Sequence, residues 1–278
     1  LVNYATIKST QCVALFSRKQ KSFSVKINNM HRFYITPSEC NNRPLILNEA
    51  EAKHARSVLR IREGDRVIVL NGEGKEILCE TQEVRNNSTK LKVIQENRIP
   101  PINFEITLYQ AITKGKTMDM IIQKATELGA TRIVPVLSDR SVPDWDKTKS
   151  AAKIEKWKTV CIESIKQCGS AWIPKMELPM KVKEAINDSR NSEISLIATL
   201  QSDAKHPRVH IDSFHSEKGH KLKKIAIWIG PEGDYTPAEI NTIRTSSLPI
   251  SLGPLVLRSE TAAIYCLAVL NYELQSQS

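Results

Sequence analysis

Glycine is scarce in this sequence, with ten in 278 residues, so the place of each one is informative. Cysteine is present but scattered. Cys12, Cys40, Cys79, Cys161, Cys168 and Cys266 form no C-x-x-C pair, which argues against a zinc ribbon or a disulfide framework and fits a reducing compartment. No apolar run approaches the length of a membrane span, so no membrane partner is expected. Neither the dinucleotide fingerprint nor a phosphate loop with Gly-Lys-Ser/Thr is present. Residues 1–30 contain no acidic residue at all, against five basic ones, Lys8, Arg18, Lys19, Lys21 and Lys26. What the chain has in surplus is positive charge. A net +10 and a pI near 9.3 point to a polyanionic partner.

Two stretches organise the rest. Residues 225–235 read "IAIWIGPEGDY" and residues 250–263 read "ISLGPLVLRSETAA". Each is a short apolar run that stops at a glycine-containing loop and leads into a helix. "KKIAIWIG", Trp228 aside, has the pattern of a fully buried strand. In "TPAEINTIR", Thr236 is the expected N-cap, Pro237 takes the first helical position and Glu239 closes a capping box. Ser259 is the expected cap of the final helix. Consecutive strand–loop–helix units of a parallel sheet place their loops on one edge, where ligands bind. Gly230, Gly233 and Gly253 lie in these loops, where glycine either lets a ligand approach the backbone or simply makes a tight turn.

"IGPEGD" followed by "LGPLVLRSETAA" resembles the C-terminal signature of the RsmE family, SPOUT-type methyltransferases of small-subunit ribosomal RNA. The resemblance continues in "RFYI", "HARSVLRIREGD", "KGKTMDMIIQKATELGATRIVPVLSDRS" and "ESIKQCGS", in that order, over residues 32–270. It implies an α/β SPOUT methyltransferase domain with a C-terminal trefoil knot, preceded by a small β-rich PUA-like domain. It also implies S-adenosyl-L-methionine as methyl donor, N3 of a uridine in small-subunit (16S-type) rRNA as acceptor, and a homodimer with a shared active site. Two positions depart from the family pattern. Asp234 ends a loop that usually reads "GPEGG", and Ser170 replaces an arginine often found after "QxG".

The expected organisation is a basic leader at 1–30, a PUA-like domain at 31–98, a linker at 99–103 and a methyltransferase domain at 104–278. The leader reads as an organelle transit peptide or a disordered basic tail. The location is then chloroplast or mitochondrion in the first case, and cytoplasm if the protein is bacterial. In the PUA-like part, Asn48 should cap the helix "EAEAKHARSVL" with Glu51 in the capping-box position. "RVIVL", "NGEG" and "KEILCETQEV" form a hairpin. The proline-stiffened "RIPPIN" marks the boundary. From there strands and helices alternate, as in an α/β layer fold.

The cofactor loops implied by the resemblance bring in Leu200, Gly230, Pro231, Glu232, Gly233, Leu252, Gly253 and Leu257. Backbone recognition of adenine accounts for their small and apolar character. The uridine N3 carries a proton, so the site needs a base or cations that stabilise the uracil anion. Arg258 and Glu260 are the first candidates, the former for the anion or a phosphate, the latter to orient Arg258 or accept the proton. Glu232 is a second carboxylate. For RNA, Arg32, His54, Arg56, Arg60 and Arg62 cluster around the first helix, either as phosphate contacts or as a solvated charged face. Lys114, Lys116 and Arg140 sit at strand-to-loop boundaries. His206, His210, His215 and His220 fall in a polar, loop-like stretch and read as surface histidines; no metal is expected. Two competing readings remain: another SPOUT activity, on a ribose hydroxyl or a guanine, and a non-catalytic RNA-binding assembly factor.

Overall fold

Alternating burial along the strands builds two sheets in succession. The computed structural model describes residues 30–85, 87–141 and 147–276, so the basic leader lies outside the described residues except for Met30. The first sheet contains β1 (Arg32–Tyr34), β2 (Leu45–Leu47), β3 (Arg66–Leu70), β4 (Lys75–Val84) and β5 (Thr89–Arg98), in the order β1-β3-β4-β5-β2. The β3–β4 hairpin turns on Asn71, whose Oδ1 accepts the backbone N–H groups of Glu73 and Lys75, both at 2.9 Å. Helix α1 (Glu49–Ser57) covers this sheet, and Ala52 and Ala55 pack with Phe33, Leu45, Leu47, Val69 and Ile77 in its core. Asn48 caps α1 by accepting from the Glu51 backbone N–H at 2.9 Å. Glu51 does not return the bond as a capping box would. Its carboxylate reaches Lys166, 2.8 Å away in the second unit.

The second sheet is parallel throughout. It is built from β6 (Glu105–Ala111), β7 (Arg132–Leu137), β8 (Lys175–Met176), β9 (Met180–Lys181), β10 (Ile194–Ala198), β11 (Lys224–Ile229) and β12 (Leu248–Ile250). Its order is β12-β10-β11-β6-β7-β8, with β9 also on β7. The helices are α2 (Lys116–Glu127), α3 (Lys147–Cys168), α4 (Val182–Ser189), α5 (Pro207–Lys218), α6 (Pro237–Ile243) and α7 (Ser259–Ser276). Period-2 alternation on β11 divides the core. Ile225, Ile227 and Ile229 face α2, α3, α5 and α7, while Ala226 and Trp228 face α4 and α6. Trp228 is fully buried without an orphaned N–H. It stacks on Tyr109 at 4.6 Å and donates to Ser195 Oγ at 3.1 Å.

The stretch holding His206, His210 and His215 is helical, a correction to the loop-like reading. Pro207 stands in the first turn of α5, where a missing N–H costs nothing, and Ile211 and Phe214 complete its buried face. The histidines have structural partners. His206 caps the helix, His210 meets the Pro249 carbonyl at 3.1 Å and His215 meets the Leu222 N–H at 3.3 Å. Thr236 and Glu239 do form the reciprocal capping box of α6.

The two units are joined by main chain and side chain. Gly74 N–H donates to the Ala171 carbonyl at 2.9 Å, Ile173 N–H to Gly72 at 3.0 Å, and the Trp172 indole N–H to Ile99 at 3.0 Å. The Glu51–Lys166 pair is almost fully enclosed there. Burial raises the Glu51 carboxyl above its usual value despite the pull of Lys166.

Candidate active site

The loops after β10, β11 and β12 open on one edge of the parallel sheet and surround a single cleft of about 470 Å³. Its wall includes Leu200 from the first loop, Gly230, Pro231, Glu232 and Gly233 from the second, and Leu252, Gly253 and Leu257 from the third. The structure therefore places all the residues named for the cofactor on one surface. Gly230 has no room for a side chain, because a Cβ there would lie 2.7 Å from Asp234 Oδ1 and 3.3 Å from its Cα. Asp234 itself has φ of +59°, a conformation suited to glycine and tolerated by aspartate. Its Oδ1 accepts the Tyr235 N–H at 2.7 Å, which holds the tight turn without glycine.

A hydroxyl ties the third wall to β6 and to the second loop. Ser259 Oγ donates to the Gly230 carbonyl at 2.6 Å and accepts from Gln110 Nε2 at 3.0 Å. Ser259 is the first residue of α7, and its side chain serves β6 and the second loop instead of capping the helix. Neither Gln110 nor Ser259 was assigned a role from sequence as a site residue; a glutamine inside the buried run "EITLYQAI" is the signal that points to one. Thr199, 8% exposed, also lines the cleft, and its Oγ1 has no hydrogen-bond partner among the described residues. An unsatisfied buried hydroxyl on the wall of a cleft is a ready contact for a polar ligand.

Among the candidate catalytic groups, Arg258 is exposed and makes no ion pair among the described residues; its carbonyl accepts the Ala262 N–H at 2.8 Å. Glu260 is half-buried in the first turn of α7 and is not paired with Arg258, so it does not orient that guanidinium in this arrangement. Glu232 has a structural task, since its Oε1 accepts the Lys114 backbone N–H at 3.1 Å.

The basic candidates separate into two groups. Arg140 reaches the second loop with its side chain and Lys114 with its backbone N–H, while Lys116 stands at the start of α2. Arg140 donates to the Gly233 carbonyl at 2.6 Å, and the exposed ammonium-bearing Lys114 and Lys116 flank the start of α2. The neighbouring Asp139 N–H is held by Glu239 of the α6 capping box at 2.8 Å, which fixes the loop carrying Arg140. In the first unit, Arg56, Arg60 and Arg62 are exposed and His54 is half-buried on or just after α1. Arg32 stands apart from them. It is half-buried at the junction, against Gly169, where a Cβ would come within 3.1 Å of its guanidinium.

A parallel α/β layer whose cleft is walled by three successive C-terminal loops, with a small β unit ahead of it, defines a class. The model of the RNA methyltransferase domain matches residues 100–271, and that of the RNA methyltransferase PUA domain matches residues 47–94. The chain is 31% identical over 246 residues to ribosomal RNA small subunit methyltransferase E of Aquifex aeolicus, covering 87% of this chain and 99% of that protein. It is 29% identical over 251 residues to the protein of the same name in Bacillus subtilis, covering 88% and 97%. The structure of Lpg2936 from Legionella pneumophila, assigned as a methyltransferase and solved with the bound cofactor SAM, superposes with a TM-score of 0.78 at 29% identity over 88% of this chain and 98% of that one. The chain belongs to the ribosomal RNA small subunit methyltransferase E (RsmE) family.

Proposed function

We propose that the protein transfers the methyl group of S-adenosylmethionine to N3 of a uridine in small-subunit ribosomal RNA. The observation that carries this reading is the cleft of about 470 Å³, whose size suits a small-molecule cofactor. The Thr199 hydroxyl, unpartnered among the described residues, fits a polar ligand. Leu200, Gly230, Pro231, Gly233, Leu252, Gly253 and Leu257 would hold the cofactor, which when bound supplies an electrophilic methyl on a sulfonium. The remaining work is placement and charge. Arg140 and Lys114, which contact the second loop, and Lys116 at the start of α2 hold the RNA backbone. Arg258 has no carboxylate partner among the described residues, so its charge is available to a uracil anion. Glu260 is assigned the N3 proton, because Glu232 is already engaged by the Lys114 amide.

Two features of the resemblance belong to the same reading. A trefoil knot is supported by the path of residues 251–258, which leave the edge strand β12 and pass the ends of β10 and β11 before α7 packs on α2. A homodimer is supported by the outer face of α7. Thr261, Tyr265, Ala268 and Tyr272 recur at helical spacing and all remain exposed in the single chain. The test of the reaction is mass spectrometry of small-subunit rRNA nucleosides after incubation with protein and S-adenosylmethionine. The expected product is 3-methyluridine. Methylation confined to a ribose or a guanine, or no methylation, overturns the assignment.

A further inference from the structure

We propose that a second nucleotide of the RNA binds in the polar pocket where the two units meet, with its base against Trp172 and its phosphate between Lys75 and Arg98. This rests on the RNA reading above, and extends it to a site outside the cofactor cleft. The pocket, of about 390 Å³, is lined by Pro37, Asn41, Asn71, Lys75, Arg98 and Trp172, with Glu73 its one carboxylate.

Three features point to an anionic, flat ligand. The first is a surplus of positive charge, two cations against the single Glu73 carboxylate. Lys75 and Arg98 are direct partners across β4 and β5, so their side chains share a face. Like charges directly opposite destabilise a strand pair. Yet Arg98 is exposed and makes no side-chain hydrogen bond or ion pair among the described residues, and Lys75 donates at 2.9 Å only to the neutral Asn41 Oδ1. An anion between them would relieve the repulsion.

The second is a fixed donor. Asn71 is 4% exposed, and its Oδ1 is consumed by the N–H groups of Glu73 and Lys75. That sets the amide orientation and leaves Nδ2 as a donor with no partner in the pocket wall. Asn41, exposed at the rim, also spends its oxygen on Lys75. Glu73 apart, the lining is thus rich in donors and poor in free acceptors, the complement of a phosphate and of pyrimidine carbonyls.

The third is an immobilised aromatic. Trp172 is half-exposed, its N–H is held by the Ile99 carbonyl at 3.0 Å, and its ring lies so close to Gly74 that a Cβ there would be 2.6 Å from Cζ2. Holding the ring in place lowers the entropy lost when a base stacks on it, and stacking tolerates any base.

The test uses the full chain and a single-stranded uridine-containing RNA oligonucleotide, with anisotropy for binding and small-subunit rRNA methylation for turnover. Arg98→Ala, at an exposed position, is expected to weaken RNA binding on the order of tenfold. It should raise KM for RNA without changing kcat at saturation, and make the slope of log affinity against log salt shallower by about one. Arg98→Lys should restore the salt slope. Trp172→Phe should weaken binding without altering that slope. Binding and salt response unchanged in Arg98→Ala and Trp172→Phe overturn the pocket while leaving the methyltransferase reading intact. Wild-type protein that binds the oligonucleotide through these residues but methylates no rRNA overturns the function and keeps the pocket.

Discussion

Arg258 and Ser259 are neighbours in sequence with opposite tasks. The Arg258 side chain has no ion-pair partner among the described residues, so its removal should leave the fold and cofactor binding intact. Arg258→Ala is expected to lower the methylation rate on the order of a hundredfold or more, as when one transition-state donor is lost from a dry site. Single-turnover kinetics at saturating RNA check this, since a rate restored by more RNA would reduce Arg258 to a docking group. Ser259→Ala should do the reverse. It strips the Gly230 carbonyl and the Gln110 amide of their common partner, at a cost of about 1–3 kcal/mol in stability. Calorimetry with S-adenosylmethionine should then show weaker binding, and thermal melting a lower midpoint. An unchanged melt would mean that the bridge is dispensable. The sequence marks Ser259 as polar at a helix start, which suggests a cap. Its real partners lie 29 and 149 residues away, and no local pattern encodes a contact of that range.

At the level of elements, the signals that survive are the ones with local physics. The Thr236–Pro237–Glu239 start of α6, the glycines after α2 and α3, and the Asn71-centred hairpin act within a few residues, and all are legible. Helix α5 was hidden because only Pro207, Ile211 and Phe214 face the core, and proline reads as a breaker unless it is placed in the first turn. The two-residue strands β8 and β9 are too short to carry any periodicity. Also illegible is the clamp that fixes α4 to the sheet. Arg132 at the start of β7 donates to both Asp188 oxygens at 2.6 and 3.1 Å and to Glu177 at 2.7 Å, and Tyr109 donates to Asp188 at 2.5 Å. Burial pushes the Asp188 carboxyl up, but the Arg132 and Tyr109 bonds outweigh it and hold the group below its ordinary 3.8. A lowered carboxyl stabilises the fold above its unfolded value, and that stabilisation is lost as pH falls through the folded one. Asp188→Asn is therefore expected to cost about 2 kcal/mol at neutral pH. Its denaturation curve should converge on that of the wild type as the pH drops below 3.8. A constant difference across that range would refute the linkage.

For the whole molecule, α7 is apolar nearly all round, which from sequence suggests complete burial. The single chain buries only the side carrying Ala263, Cys266, Leu267, Leu270 and Leu274. The opposite side leaves Tyr272 at 73% and Tyr265 at 43% exposure. The proposed dimer would cover it. Sedimentation at micromolar concentration should show a dimer for the wild type and a monomer for Tyr265→Glu; a wild-type monomer that retains activity would remove the need for a shared site. The Ser259 bridge has a further consequence, which concerns time. The third wall of the cleft and the hydroxyl that fastens it both come from residues 251–259, and the helix that follows supplies part of the core. A ribosome making this protein releases that segment after the other two walls. Until residues 251–259 have emerged, the nascent chain has two walls of the cleft and lacks the Ser259 bridge, so capture of the cofactor waits for that segment.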